Sequence, residues 1–86
     1  MKLILCSICQ DVRKLDYKPV VCDCGASKGW YEDDGLNATI QGAAIPLGFD
    51  NSSLVAAVID QPERGEGRVF TAFVIPKNCP TVMKLT

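Results

Sequence analysis

The 86-residue chain contains no histidine. It therefore lacks the side chain that most readily shuttles a proton near neutral pH and activates serine or cysteine nucleophiles. A long apolar run is missing too: nothing approaches the roughly 18 residues of a membrane-crossing helix. Lys2 is followed only by Leu3, Ile4 and Leu5 before Cys6, well short of the roughly 7–15-residue apolar core of a secretory signal or lipoprotein leader. The expectation is a reduced, cytoplasmic setting with no membrane partner. There is no Gly-rich phosphate loop, internal repeat or low-complexity tract. Basic excess is also absent, with a formal net charge of −1. Nucleic-acid modules usually carry a basic patch, so that class is disfavoured by the overall balance. Residues 29–60 hold no Lys or Arg at all, but carry Glu32, Asp33, Asp34, Asp50 and Asp60.

What the chain does have is cysteine in two close pairs, Cys6-Ser7-Ile8-Cys9 and, twelve residues on, Cys22-Asp23-Cys24. Two sulfurs on one tight turn, joined by two more from a second, are the ligand pattern of a tetrahedral thiolate site. The expected cofactor is one structural Zn²⁺ held by Cys6, Cys9, Cys22 and Cys24. The second pair is CxC, a tighter chelate than the commoner CxxC. Two disulfides and an iron site are the rival readings. A full set of four thiolates leaves no open position for water, which argues against catalysis at the metal. With the ion bound, the net charge becomes about −3. Gly25 follows the last of these cysteines, where the backbone often needs a positive φ.

The predicted fold class is α+β, in one domain. Eighty-six residues leave no room for two independent cores, and so small a domain gains from a metal clamp. Residues 1–28 are predicted to form a zinc-ribbon hairpin: Leu3–Leu5 and Val20–Val21 as strands, with Gln10–Lys18 carrying the turn. Residues 29–86 are predicted as β-β-α-β, packing a small antiparallel or mixed sheet against one helix. Gly29–Glu32 and Leu36–Gln41 read as a hairpin turning at Asp33-Asp34-Gly35. Its three carboxylates are read as a solvated tip rather than a hard-cation site, for which spacing nominates no further oxygens. Ala43–Phe49 contains Pro46 and Gly48 and reads as an edge or irregular strand at best. Asp50, Asn51 and Ser52 are good N-caps before an apolar run that Pro62 stops, so a helix is expected over Ser52–Gln61. Its lack of charge implies burial on more than one face, or packing on another subunit. Arg68–Ile75 reads as a central strand under that helix, and Thr81–Leu85 as a short last strand. Cys79, with no histidine to activate it, reads as an inert thiol.

The pieces CSIC, CDCGASKGWYEDDGLNA, PLGFDNSSL and RVFTAFVIP together resemble small bacterial and phage-encoded zinc-ribbon proteins, rubredoxin-knuckle-like and of unassigned activity. The resemblance implies a compact metal-bound domain that acts by binding or inhibiting a host protein or by sequestering a small signalling molecule. From the residues themselves, the anion-binding candidate is the helix start, Asn51, Ser52 and Ser53, with Arg64 or Arg68 folding across. Plain N-capping is the alternative there. A second reading is nucleic-acid binding through Arg13, Lys14, Lys18 and Lys28; offsetting the thiolate charge is their simpler role. The expectation is thus a non-enzymatic binding protein with a protein or small anionic (nucleotide-like) partner, homo-oligomerisation being compatible with its apolar helix and Phe-rich strand.

Overall fold

A computed structural model describes residues 1–85. Among them are one helix and two four-stranded sheets, an α+β arrangement. The first sheet is ordered β2 (Val12–Lys14), β1 (Lys2–Cys6), β6 (Ala44–Phe49) and β7 (Ala72–Val74), all antiparallel. The second is ordered β3 (Val20–Val21), β4 (Ser27–Tyr31), β5 (Ala38–Gly42) and β8 (Val82–Leu85), with β8 parallel to β5. The core lies between them and is built from Ile4, Leu15, Ala38, Ile40 and Ala44, flanked by Tyr31 and Val82. Strand alternation explains part of this choice: β4 buries Ser27 and Gly29, two positions apart, on one face.

The two sheets meet at a corner where β5 runs into β6. Gly42 makes that corner at φ +69°, and a Cβ there would strike the Ala26 carbonyl oxygen. The same carbonyl accepts from the Ala43 N–H at 2.9 Å, so the corner is pinned by backbone alone.

Several sequence expectations are met. The 29–41 hairpin forms as β4 and β5, and its Asp34 Oδ1 accepts from the N–H groups of Leu36 and Asn37 (2.9 and 2.8 Å). Those bonds, those of Leu36 and Asn37 first, hold the Asp34 carboxyl below its usual range. The helix α1 runs Asn51–Ile59, capped by Asp50, whose side chain accepts from Ser52 N–H at 3.1 Å. The last strand is β8.

Four expectations are corrected. The cysteine pairs do not share one hairpin: β1 turns into β2 and β3 into β4, in different sheets. The Gln10–Lys18 segment is accordingly not a polar turn. It contains β2, and Leu15 at 3% exposure fills the core. Ala43–Phe49 is no edge either; the six-residue β6 pairs with β1 along Ala44–Gly48 and with β7 along Leu47–Phe49. Pro46 is tolerated because it faces the place where β7 ends. Its carbonyl still accepts from Ile75 N–H at 2.9 Å, so the ring forfeits one bond at the sheet's margin.

The third and fourth corrections concern the apolar second half. Arg68–Ile75 yields only the three-residue edge strand β7, with Phe73 and Val74 exposed and Ile75 buried just beyond it. The helix is not buried on several faces, since only Ala57 is buried and Val55, Val58 and Ile59 face solvent. Residues 50–71 leave β6 and fold back on themselves. Thr71 N–H donates to Ser53 Oγ (2.9 Å), Asp50 N–H to Thr71 O (3.0 Å), and Phe70 meets Phe49 edge-on at 5.2 Å. The rest of the described chain covers little of this helix's apolar surface.

Candidate metal centre

Each cysteine pair sits on the turn of its own hairpin. Cys6 is the last residue of β1; its N–H donates to Asp11 O (2.9 Å), and Gln10 N–H returns to Cys6 O (2.9 Å). This tight loop turns the Ile8 and Cys9 N–H groups toward the Cys6 sulfur, at 3.4 and 3.5 Å. In the second loop Cys22 N–H donates to Ser27 O and Gly25 N–H to Cys22 O, both at 3.1 Å. Ser27 N–H points at Cys22 Sγ, 3.3 Å away. In both loops the residue after the final cysteine is left-handed: Gln10 at φ 62° and Gly25 at φ 80°. The expectation for Gly25 holds, and Gln10 performs the same turn without a glycine's freedom.

The four Sγ atoms of Cys6, Cys9, Cys22 and Cys24 lie within 4.8 Å of one another. Cys24 Sγ is 3.7 Å from Cys6 Sγ and 3.6 Å from Cys22 Sγ. Four sulfurs placed tetrahedrally at about 2.3 Å from one ion stand about 3.8 Å apart, so the spacing fits a shared metal ion. All are free thiols. Both sulfurs of the CxC pair take part, so the set predicted from sequence is brought together as a group that could hold one metal ion. Cys6 and Cys22 are buried, Cys9 is half-buried and Cys24 faces solvent.

The electrostatics favour a cation. The Cys9 N–H, helped by the Ser27 hydroxyl and the Ile8 N–H, draws the Cys6 thiol down to about 6 against the effect of burial. Burial works against Cys22 as well, but the Ser27 N–H and the Cys24 thiol outweigh it and lower its pKa. Cys24 goes the other way. The Ala26 N–H pulls it down, yet desolvation and the thiols of Cys22, Cys9 and Cys6 push it up to about 12. Four sulfurs this close cannot all ionise unaided, and a bound cation is what relieves them. Ser27 is 1% exposed, and among the described residues its hydroxyl has no hydrogen-bond partner. A thiolate at the neighbouring Cys6 would supply an acceptor.

A second layer ties the two loops together. Arg13 Nε donates to Asp11 Oδ2 (2.6 Å) and its terminal nitrogen to Asp23 Oδ1 (2.7 Å), while Asp23 N–H donates to Asp11 Oδ2 at 3.0 Å. The Arg13 hydrogen bond holds the Asp11 carboxyl below its usual range. Asp11 belongs to the first loop and Asp23 lies between Cys22 and Cys24, so one guanidinium bridges both ligand pairs.

Comparisons with protein-family models, with curated proteins and with solved structures found no match. The roles of the remaining candidate residues therefore rest on where the fold puts them. Asn51 and Ser52 open the helix, but the Asp50 carboxylate already occupies the Ser52 N–H. Ser53 Oγ donates to Asp50 O at 3.0 Å and accepts from Thr71 N–H, which spends its hydroxyl on the fold. Arg68 stands 4.0 Å from Asp60 at the other end of α1, and Arg64 is exposed in the loop that follows. Nine helical residues span about 13 Å, so Arg68 and the serines are not gathered into one site. Of the four basic residues considered for nucleic acid, Arg13 is spent on two carboxylates and Lys28 Nζ lies 5.9 Å from the Trp30 ring centre. Lys14 and Lys18 are exposed. Cys79 stands apart from the cluster, half-buried, with Thr81 Oγ1 3.3 Å from its sulfur and lowering its pKa.

Sequence reasoning missed Ser27 and the Arg13 bridge. The bridge left a trace, since Asp11, Arg13 and Asp23 flank the cysteines, but only the fold shows that two of them lie on different hairpins. Ser27 left none, being one hydroxyl on a short strand.

Among the described residues no helix is long and apolar enough to cross a membrane.

Proposed function

We propose that this chain is a zinc-stabilised binding protein in which Cys6, Cys9, Cys22 and Cys24 hold one structural Zn²⁺. The observation that carries this reading is the closed donor set: four sulfurs within 4.8 Å, presented by the turns of two separate hairpins. Thiolates select zinc or iron over harder cations, and a redox-silent tetrahedral ion suits a clasp between two sheets. With all four positions taken by sulfur, the ion's contribution is to stability, not to bond-making. The ligands close the β1–β2 and β3–β4 turns, so the ion joins the two sheets at the end where the Gly42 corner also joins them, with Ala43 hydrogen-bonded to Ser7 of one cysteine loop and to Ala26 of the other.

The activity proposed is binding, of a small anion or of another protein. No histidine is present, and the paired cysteines are absorbed by the metal site, which leaves no recognisable nucleophile and base. The exposed apolar helix and the resemblance to phage-encoded zinc-ribbon proteins both favour a binding role, including inhibition of a host protein. Nucleic-acid binding is the runner-up, weakened by the neutralisation of Arg13.

Native mass spectrometry of the protein as purified tests this directly, because one spectrum reports metal, subunit count and any retained small molecule. One zinc per chain is expected. A metal-free chain with oxidised cysteines would overturn the metal reading. Tight binding of DNA or RNA that weakens steeply with salt would replace the binding role by the runner-up.

A further inference from the structure

We propose that the cleft between β7 and β8 binds a linear acyl carboxylate. The two sheets close on each other around Ile4 and Leu15 but part at these edges, leaving a cavity of about 430 Å³. That lies within the roughly 300–1,000 Å³ of small-molecule sites. Buried Ile40, Ala44 and Ile75 lie along it, together with half-buried Val82. Lys77 and Lys84 complete it, and among the described residues neither makes an ion pair. Among the described residues no aromatic ring lines it to stack a base, and no carboxylate side chain lines it to oppose an anion.

The placement of Lys84 is the unusual feature. Along a strand, residues two apart share a face. Val82 packs on the core, so Lys84, itself exposed, shares that face of β8 at the mouth of the cleft, whereas Met83 and Leu85 occupy the other face, with Met83 63% exposed. An edge strand with its charge on the core-side face and apolar residues on the other reverses the usual pattern. A ligand with an aliphatic body and one negative head satisfies both the lining and the lysines. A lysine on that face can also serve merely to stop edge-to-edge pairing, which predicts a different result below. The proposal rests on reading the chain as a binding protein and names the anion it takes; it is independent of the ion's identity.

The experiment is a titration of the intact, zinc-loaded protein with octanoate and decanoate below their micellar range, read by calorimetry and by methyl NMR. Octanol and octylamine serve as the neutral and cationic controls. The expected result is saturable binding of the carboxylates, with shifts confined to Ile40, Ala44, Ile75 and Val82. Each methylene removed should weaken binding about fourfold. Lys77→Ala with Lys84→Ala should weaken it tenfold or more at unchanged melting temperature, and octylamine should not compete. Equal affinity for octanol, unchanged affinity in the double variant, or no saturable shift overturns the proposal. A double variant that dimerises while binding decanoate normally assigns Lys84 to edge protection and also overturns it. Zinc content measured on the same samples separates the two readings. Zinc present without decanoate binding sinks the cleft alone, and decanoate binding by a metal-free chain sinks the zinc alone.

Discussion

Removing the ion should unfold the chain, and the structure lets the size of the effect be bounded. Among the described residues, the buried aliphatic side chains larger than alanine are Leu3, Ile4, Leu15, Ile40 and Ile75. At about 1.5–3 kcal/mol each, these five contribute roughly 8–15 kcal/mol of burial. A domain of this length has a net stability of about 4–13 kcal/mol after conformational entropy is subtracted. Structural zinc in finger peptides contributes about 10–16 kcal/mol. The ion's share therefore matches or exceeds the whole margin. The assay is far-UV circular dichroism during a thermal melt, in reductant, before and after a strong chelator, with metal content measured in both samples. A cooperative transition is expected only with metal, and one equivalent of Zn²⁺ should restore it. A chain verified as metal-free that still melts cooperatively at the same temperature would refute the reasoning, because the five side chains would then suffice.

Gly42→Ala should cost more than about 2 kcal/mol, read as a lower urea midpoint, since it combines a positive φ with a collision against the backbone at Ala26. Arg13→Ala should speed zinc loss to a competing chelator about tenfold, and Arg13→Lys should not rescue it, because only the guanidinium fork reaches both Asp11 and Asp23. Metal affinity should rise with pH. In the metal-free chain Cys6 ionises near 6, but Cys24 holds its proton to about 12. At least one proton is therefore displaced per ion at neutral pH, and the apparent affinity should climb about tenfold or more per unit between pH 6.5 and 8. A flat profile in competition titrations would contradict that assignment.

The local signals were legible because they are short-range. Cysteine spacing names the four sulfurs that cluster, Asp-Gly marks the β4–β5 turn, and Asp50 before an apolar run marks the helix. Partnering was not legible. Whether Leu15 belongs to a turn or to the core depends on β2 returning beside β1, a contact that no pattern within the segment encodes. Pro46 reads as an edge residue until it is seen where β7 ends. The apolar helix reads from its composition as buried on more than one face or packed on another subunit, and Arg68–Ile75 as a central strand, yet both lie at the margin of the fold, where composition measures what could be buried and not what is. Gln10 illustrates the same limit: its left-handed backbone is set by the Cys6–Cys9 loop, not by its own preference.

The account stands on one ion held by four sulfurs. X-ray absorption at the zinc edge on the purified protein measures that shell without a crystal. It should give four sulfur neighbours at about 2.3 Å, unchanged between frozen and solution samples. A shell containing nitrogen or oxygen in place of sulfur, or no bound zinc at all, would contradict it.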